Sequence, residues 1–94
     1  MIERQDGGRL LITAPLTMAN ARGLLEAGRS VLVAGEQVFD FSEVTEADSS
    51  AIAVMLGWLR AAPQSRSTIK FANIPAGVRS LAELYGLTEF LPLA

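Results

Sequence analysis

The chain has no cysteine and no histidine. The first absence removes disulfides, thiol nucleophiles and thiolate metal sites. The second removes the usual general base and the commonest nitrogen ligand for zinc. Lys70 is the only lysine, and no Gly-x-x-x-x-Gly-Lys phosphate loop is present. Eight basic residues against ten acidic ones give a net charge of −2, with no basic run. A nucleic-acid binder would carry a basic face or stripe, so nucleic acid is not an expected partner. No apolar run approaches the length of a membrane span. The opening Met1-Ile2-Glu3-Arg4-Gln5-Asp6 lacks the apolar centre of a signal peptide. A cytoplasmic domain without direct membrane insertion is the expectation.

What is present is a chain of 94 residues, half of them apolar, enough for a core in a single domain spanning 1–94. Asp6-Gly7-Gly8 is a turn signal between Ile2 to Gln5 and Arg9 to Thr13, so the chain should open on a β-hairpin that Pro15 ends. Thr17 stands where an N-cap belongs, before a helical stripe of Met18, Ala21, Leu24, Leu25, Gly28 and Leu32 that could run to Ala34. Two glycines inside it, Gly23 and Gly28, mark either close packing on a sheet or a loosely specified helix. Gln37 to Phe41 follows as a strand whose apolar run suggests cover on both faces. A second helix runs from about Ser49 to Ala62 and closes at Pro63. Thr68 to Ala72 is a strand, and Ala76 to Tyr85 a third helix that Gly86 stops. Leu87 to Leu93 is apolar enough to pack back on the core. The order β-β-α-β-α-β-α gives an α/β fold, a four-stranded mixed sheet with helices packed on it.

The most informative stretch runs from Asp40 to Ser50 and into the second helix. Asp48-Ser49-Ser50 reads in two ways. As an N-cap, a carboxylate or hydroxyl accepts a free backbone N–H. As a docking or phosphorylation site, it uses the same unpaired N–H groups and positive dipole end, which suit a phosphate. On the helix that follows, Ala51, Ile52, Met55, Leu56 and Leu59 form the expected core face. Ala53, Val54, Gly57, Trp58 and Ala61 then fall on the other side, with only Arg60 polar. Either a long first helix covers that side or Trp58 folds inward at an edge, or the surface docks a partner with Trp58 as its anchor. Glu43, Glu46 and Asp48 are explained by solvated loop charge, so the chain is not expected to be an enzyme or to need a cofactor.

Val38-Phe39-Asp40-Phe41 through Asp48-Ser49-Ser50 to Ala53-Val54-Met55-Leu56 resembles the signature of STAS domains, in which a strand ending in Asp-Leu precedes Asp-Ser-Ser or Asp-Ser-Thr and an apolar helix. The resemblance covers essentially the whole chain and implies the same mixed sheet with helices. It points to two branches. Anti-sigma-factor antagonists bind a serine kinase that phosphorylates the first hydroxyl after the motif Asp, which is Ser49 here. The small STAS subunit of Mla-type ABC phospholipid transporters binds the cytoplasmic ATPase through the motif hydroxyl and the following helix. The closing Pro75-Ala76-Gly77-Val78-Arg79-Ser80-Leu81-Ala82-Glu83-Leu84-Tyr85-Gly86-Leu87 is similar to that subunit's end. Ala14-Pro15-Leu16-Thr17 replaces the antagonists' Gly-Glu-Leu-Asp, and Ala51 replaces a common Gly, and both departures favour the transporter branch. The resemblance therefore implies an MlaB-like subunit in phospholipid transport and outer-membrane lipid asymmetry, held at the cytoplasmic face of the inner membrane by its partner. Its implied contact residues are Asp48, Ser49, Ser50, Val54, Gly57 and Trp58, with Thr17 nearby.

Overall fold

A computed structural model describes residues 1–94. The hairpin pairs β1 (Ile2–Arg4) antiparallel to β2 (Arg9–Ile12), with Ile2 opposite Ile12 and Glu3 opposite Leu11. Two further strands, β3 (Gly35–Asp40) and β4 (Ser67–Ala72), extend the sheet in parallel, giving the order β1-β2-β3-β4. The helices are α1 (Ala21–Val31), α2 (Ser50–Ala61) and α3 (Ala76–Leu84). The α/β fold, the mixed sheet and the element order are those expected from the sequence.

The helices pack on one face of the sheet, α1 against α2 and α2 against α3. Strand side chains alternate between faces, so Leu10, Ile12, Phe39, Phe41, Ile69 and Phe71 point into the core and are buried. Their alternates Leu11, Val38 and Lys70 lie on the opposite face and are only half-buried. The expectation that the third strand is covered on both faces is therefore corrected. That second face is crossed by ion pairs, Arg9 to Asp40 at 2.6 Å and Lys70 to Glu36 at 3.5 Å, as suits a wet surface.

Both ends of α1 differ from the helical stripe. Thr17 is not its N-cap. Leu16 to Met18 is held by distant backbone: Leu16 N–H donates to the Glu46 carbonyl (2.9 Å), and Asp48 N–H donates to the Leu16 carbonyl (3.0 Å). A turn closed by Asn20 N–H on the Thr17 carbonyl follows, and the helix begins only at Ala21. At the other end, the buried Gln37 side chain intervenes. Its Oε1 accepts from Val33 N–H (2.9 Å) and its Nε2 donates to the Val31 carbonyl (3.3 Å). The Ser67 hydroxyl also reaches the Val33 carbonyl. These bonds replace the next helical turn, so α1 stops at Val31 and not at Ala34.

The tail packs back as its composition suggests. Leu91 is buried, and Leu93 bridges to Phe71 on the outer edge of β4. Phe71 N–H donates to the Pro92 carbonyl (2.8 Å), and Ala94 N–H to the Phe71 carbonyl (2.9 Å). An otherwise open strand edge, a template for unwanted pairing, is thereby partly closed.

Candidate interaction site at the start of the second helix

Asp48 organises the site. Its Oδ1 accepts from the Ser50 backbone N–H (2.9 Å) and from the Ser50 hydroxyl, and its Oδ2 accepts from the Met18 N–H (3.0 Å). One carboxylate thus caps α2 and pins the turn that leads into α1. The Ser50 hydroxyl, then the Met18 and Ser50 amides, hold this carboxyl below its ordinary range, and it stays ionised at neutral pH. The cap is Asp48 itself. Ser50 is committed to it, whereas Ser49 is exposed and its hydroxyl enters none of these bonds.

The parallel bridge between Leu16 and Ala47 brings Thr17 and Met18 beside Asp48 and Ser49. Thr17 is half-buried, and Met18 is 76% exposed. Ala53, one turn into α2, is exposed as well. The resulting surface is small, apolar in part, and rigid at its base because each chain segment beneath it is hydrogen-bonded. No cluster of three acidic side chains exists that could hold a metal ion. Sequence reasoning placed Met18 in a helical stripe and so missed its exposure. Only the long-range bond to Asp48 takes it out of that stripe.

Three of the expected contact residues are not available at this surface. Trp58 is 0% exposed and Val54 is 3% exposed. The Trp58 ring stacks on Phe39 with centroids 4.2 Å apart and planes 10° from parallel. Its Nε1–H donates to the Leu24 and Leu25 carbonyls of α1 at 3.1 and 3.2 Å. Gly57 faces α1: a Cβ there would lie 2.6 Å from Leu25 Cδ1. The first helix covers this side of α2, so the docking anchor at Trp58, with Val54 and Gly57 beside it, is corrected to a core contact. Burial marks the true solvent stripe as Ala53 and Arg60. A signal for this was present. Trp58 follows Ala51 by seven residues, two helical turns, so the two must share a face, and Ala51 was already assigned to the core.

Asp40 is a second polar centre that the sequence reading left without a role. It accepts from Arg9 Nη1 at 2.6 Å, from the Ser42 N–H at 2.9 Å and from Asn73 Nδ2 at 3.0 Å. Burial raises its pKa, but the bonds from Asn73, Ser42 and Arg9 outweigh that and hold the carboxyl below its ordinary value. Asp40 thereby ties together the loops that follow β3 and β4, and the first of these loops leads to Asp48. Its signal in the sequence was a lone carboxylate ending an apolar strand.

The family model described as Mlab, STAS domain matches residues 2–93. No curated protein matches by sequence. Among solved structures, the fold is similar to a candidate anti-sigma factor antagonist from Thermotoga maritima, at 14% identity and TM-score 0.73, covering 99% of this chain and 83% of that one. It is also similar to the anti-sigma factor antagonist SpoIIAA in its unphosphorylated form, at 14% identity and TM-score 0.67, covering 99% and 84%. A third likeness is to part of the murine anion transporter Slc26a9, at 18% identity and TM-score 0.70, covering 92% of this chain and 15% of that one. Identities this low speak to the fold alone. The family model does more, because it spans nearly the whole chain: this chain belongs to the MlaB-type STAS domains.

Proposed function

We propose that this MlaB-type STAS domain is a non-enzymatic regulatory and assembly subunit that binds the cytoplasmic ATPase of an Mla-type ABC transporter, in phospholipid transport and outer-membrane lipid asymmetry. The observation that carries the reading is the exposed, uncommitted Ser49 hydroxyl on a helix start that Asp48 holds rigid. A preorganised surface loses little side-chain and loop entropy on docking. Thr17, Met18 and Ala53 extend the contact around it. No helix of the chain is long and apolar enough to cross a membrane, and a peripheral position at the inner membrane would come from the ATPase. Co-expression with the ATPase of such a transporter, followed by size-exclusion chromatography, tests the reading. A stable complex is expected, and separate elution of the two proteins contradicts it.

A second reading is an anti-sigma-factor antagonist switched by phosphorylation at Ser49. The same exposed hydroxyl favours it, and SpoIIAA, whose phosphorylated form is also a structural neighbour, shares the fold. Against it stand Thr17, where the antagonists carry an acid, and Ala51, where many carry Gly. Incubation with a serine-kinase anti-sigma factor separates the two: modification of Ser49 supports the switch, and an unmodified chain removes it.

A further inference from the structure

At the opposite end of α2 from Ser49 lies a cleft of about 220 Å³ lined by Leu25, Arg29, Gly57, Arg60, Ala61 and Gln64. Arg29 and Arg60 come from the last turns of α1 and α2, and no residue lining the cleft is acidic. The chain's two ion pairs are Arg9–Asp40 and Lys70–Glu36, so neither cleft arginine has a carboxylate within ion-pair distance. Glu26 lies only in an outward extension of the cleft beside Arg29, and it makes no ion pair there. A cation in the last turn of a helix favours the carbonyl end of the dipole. That accounts for one arginine per helix, but not for two that face one cleft with no anion between them.

We propose that this cleft receives an acidic segment of the protein partner, a glutamate or aspartate side chain gripped by Arg29 and Arg60 with Gln64 as a further donor. Guanidinium forks bind carboxylates in a bidentate manner, and Leu25, packed where a Gly57 side chain would otherwise stand, lines the cleft between the two arginines. No aromatic or long apolar wall is present for a base or a lipid tail. The inference rests on the docking reading and extends it along the same helix. The solvent stripe of α2 passes from Ser49 through Ala53 to Arg60, about 16 Å at 1.5 Å per residue. A partner seated on Ser49 therefore reaches the cleft without leaving this face.

Titration of the isotope-labelled full chain with a hexaglutamate peptide, and separately with inorganic phosphate, tests it by NMR. The peptide is expected to shift the Arg29, Arg60 and Gln64 side-chain signals and to spare the exposed Arg66 and Arg79. Arg29→Gln and Arg60→Gln should each weaken the peptide about tenfold, as loss of one charge-assisted contact implies. No shift at the cleft, equal shifts at Arg66 and Arg79, or a response to phosphate alone overturns the proposal. The peptide arm needs no ATPase, so it stands whether or not the ATPase binds. An ATPase complex that survives the Arg29→Glu/Arg60→Glu double variant but not a Ser49 variant defeats the cleft and leaves the docking reading in place.

Discussion

Gly23 and Gly28, five residues apart in α1, should respond to alanine with opposite signs if Trp58 is a core residue. Gly28→Ala places a Cβ 2.0 Å from Trp58 Nε1, against ordinary contact from about 3.4 Å, so helix and indole must separate by about 1.4 Å, the difference of the two. A contact of that kind differs from Gly23→Ala only in what stands opposite. The indole cannot retreat, because Phe39 stacks on its far side at 4.2 Å. Overpacking of this kind costs about 1–3 kcal/mol or more, and loss of the Trp58 bonds to the α1 carbonyls adds about 1 kcal/mol. Higher helix propensity returns about 1 kcal/mol. The net is a loss of about 2 kcal/mol, a fall in melting temperature of roughly 8–16 °C for a domain of this size. Gly23→Ala meets only the flexible end of Met1, at 3.1 Å. It should therefore leave stability unchanged or raise it by up to about 1 kcal/mol. Thermal and urea unfolding, followed by Trp58 fluorescence, give both numbers. A Gly28→Ala variant as stable as the parent would falsify the packing described for Trp58 and restore it as a candidate surface anchor.

Further outcomes follow from the two carboxylates and from Ser49. Asp40→Ala should lower stability by about 1–3 kcal/mol at neutral pH, because it strips three donors of their acceptor at a nearly buried position. Since the folded pKa of Asp40 is depressed, its contribution is complete above the unfolded value of about 3.9 and fades as pH falls through the lower folded value. The urea midpoints of parent and variant should accordingly converge in acid, and a gap that widens there contradicts the network. Asp48→Ala should lower the urea midpoint and speed amide exchange at both Met18 and Ser50, two positions 32 residues apart in the chain, 50 minus 18, that share this one acceptor; an effect confined to Ser50 would show that the tie to Met18 is not made. Ser49→Asp should leave the unfolding midpoint unchanged, since no bond of the fold uses that hydroxyl, and any marked destabilisation speaks against its exposure.

The order of elements was legible because local chemistry marks every boundary: Asp6-Gly7-Gly8, Pro15, Pro63, Pro75 and Gly86 punctuate segments whose apolar spacing already differs. What failed was long-range. Helix propensity favours a start after Thr17, but Met18 N–H is taken by a carboxylate 30 residues away, and a tertiary bond outweighs a few tenths of a kilocalorie of propensity. Similarly, Gln37 looks like an ordinary strand residue until its side chain is seen capping α1. The α2 face was misread for a different reason. The helix is apolar nearly all round, so its hydrophobic pattern points weakly in any direction. Gly28 and Gly57 carried the missing information, because each marks a site where α1 and α2 approach too closely for a Cβ. The Arg29–Arg60 cleft had no local signal at all, since its two walls lie 31 residues apart, 60 minus 29, and meet only when the helices pack.

On the proposed function, the Ser49 end of α2, and not its Trp58 side, receives the ATPase. Calorimetric titration of the transporter ATPase with the parent chain and with a Ser49→Lys variant, shown to be folded by Trp58 fluorescence, tests it most directly. Saturable binding by the parent is expected, with a loss of at least about tenfold in the variant, because a long charged side chain would obstruct a closely packed contact. Equal affinity of the two chains for the ATPase would contradict it.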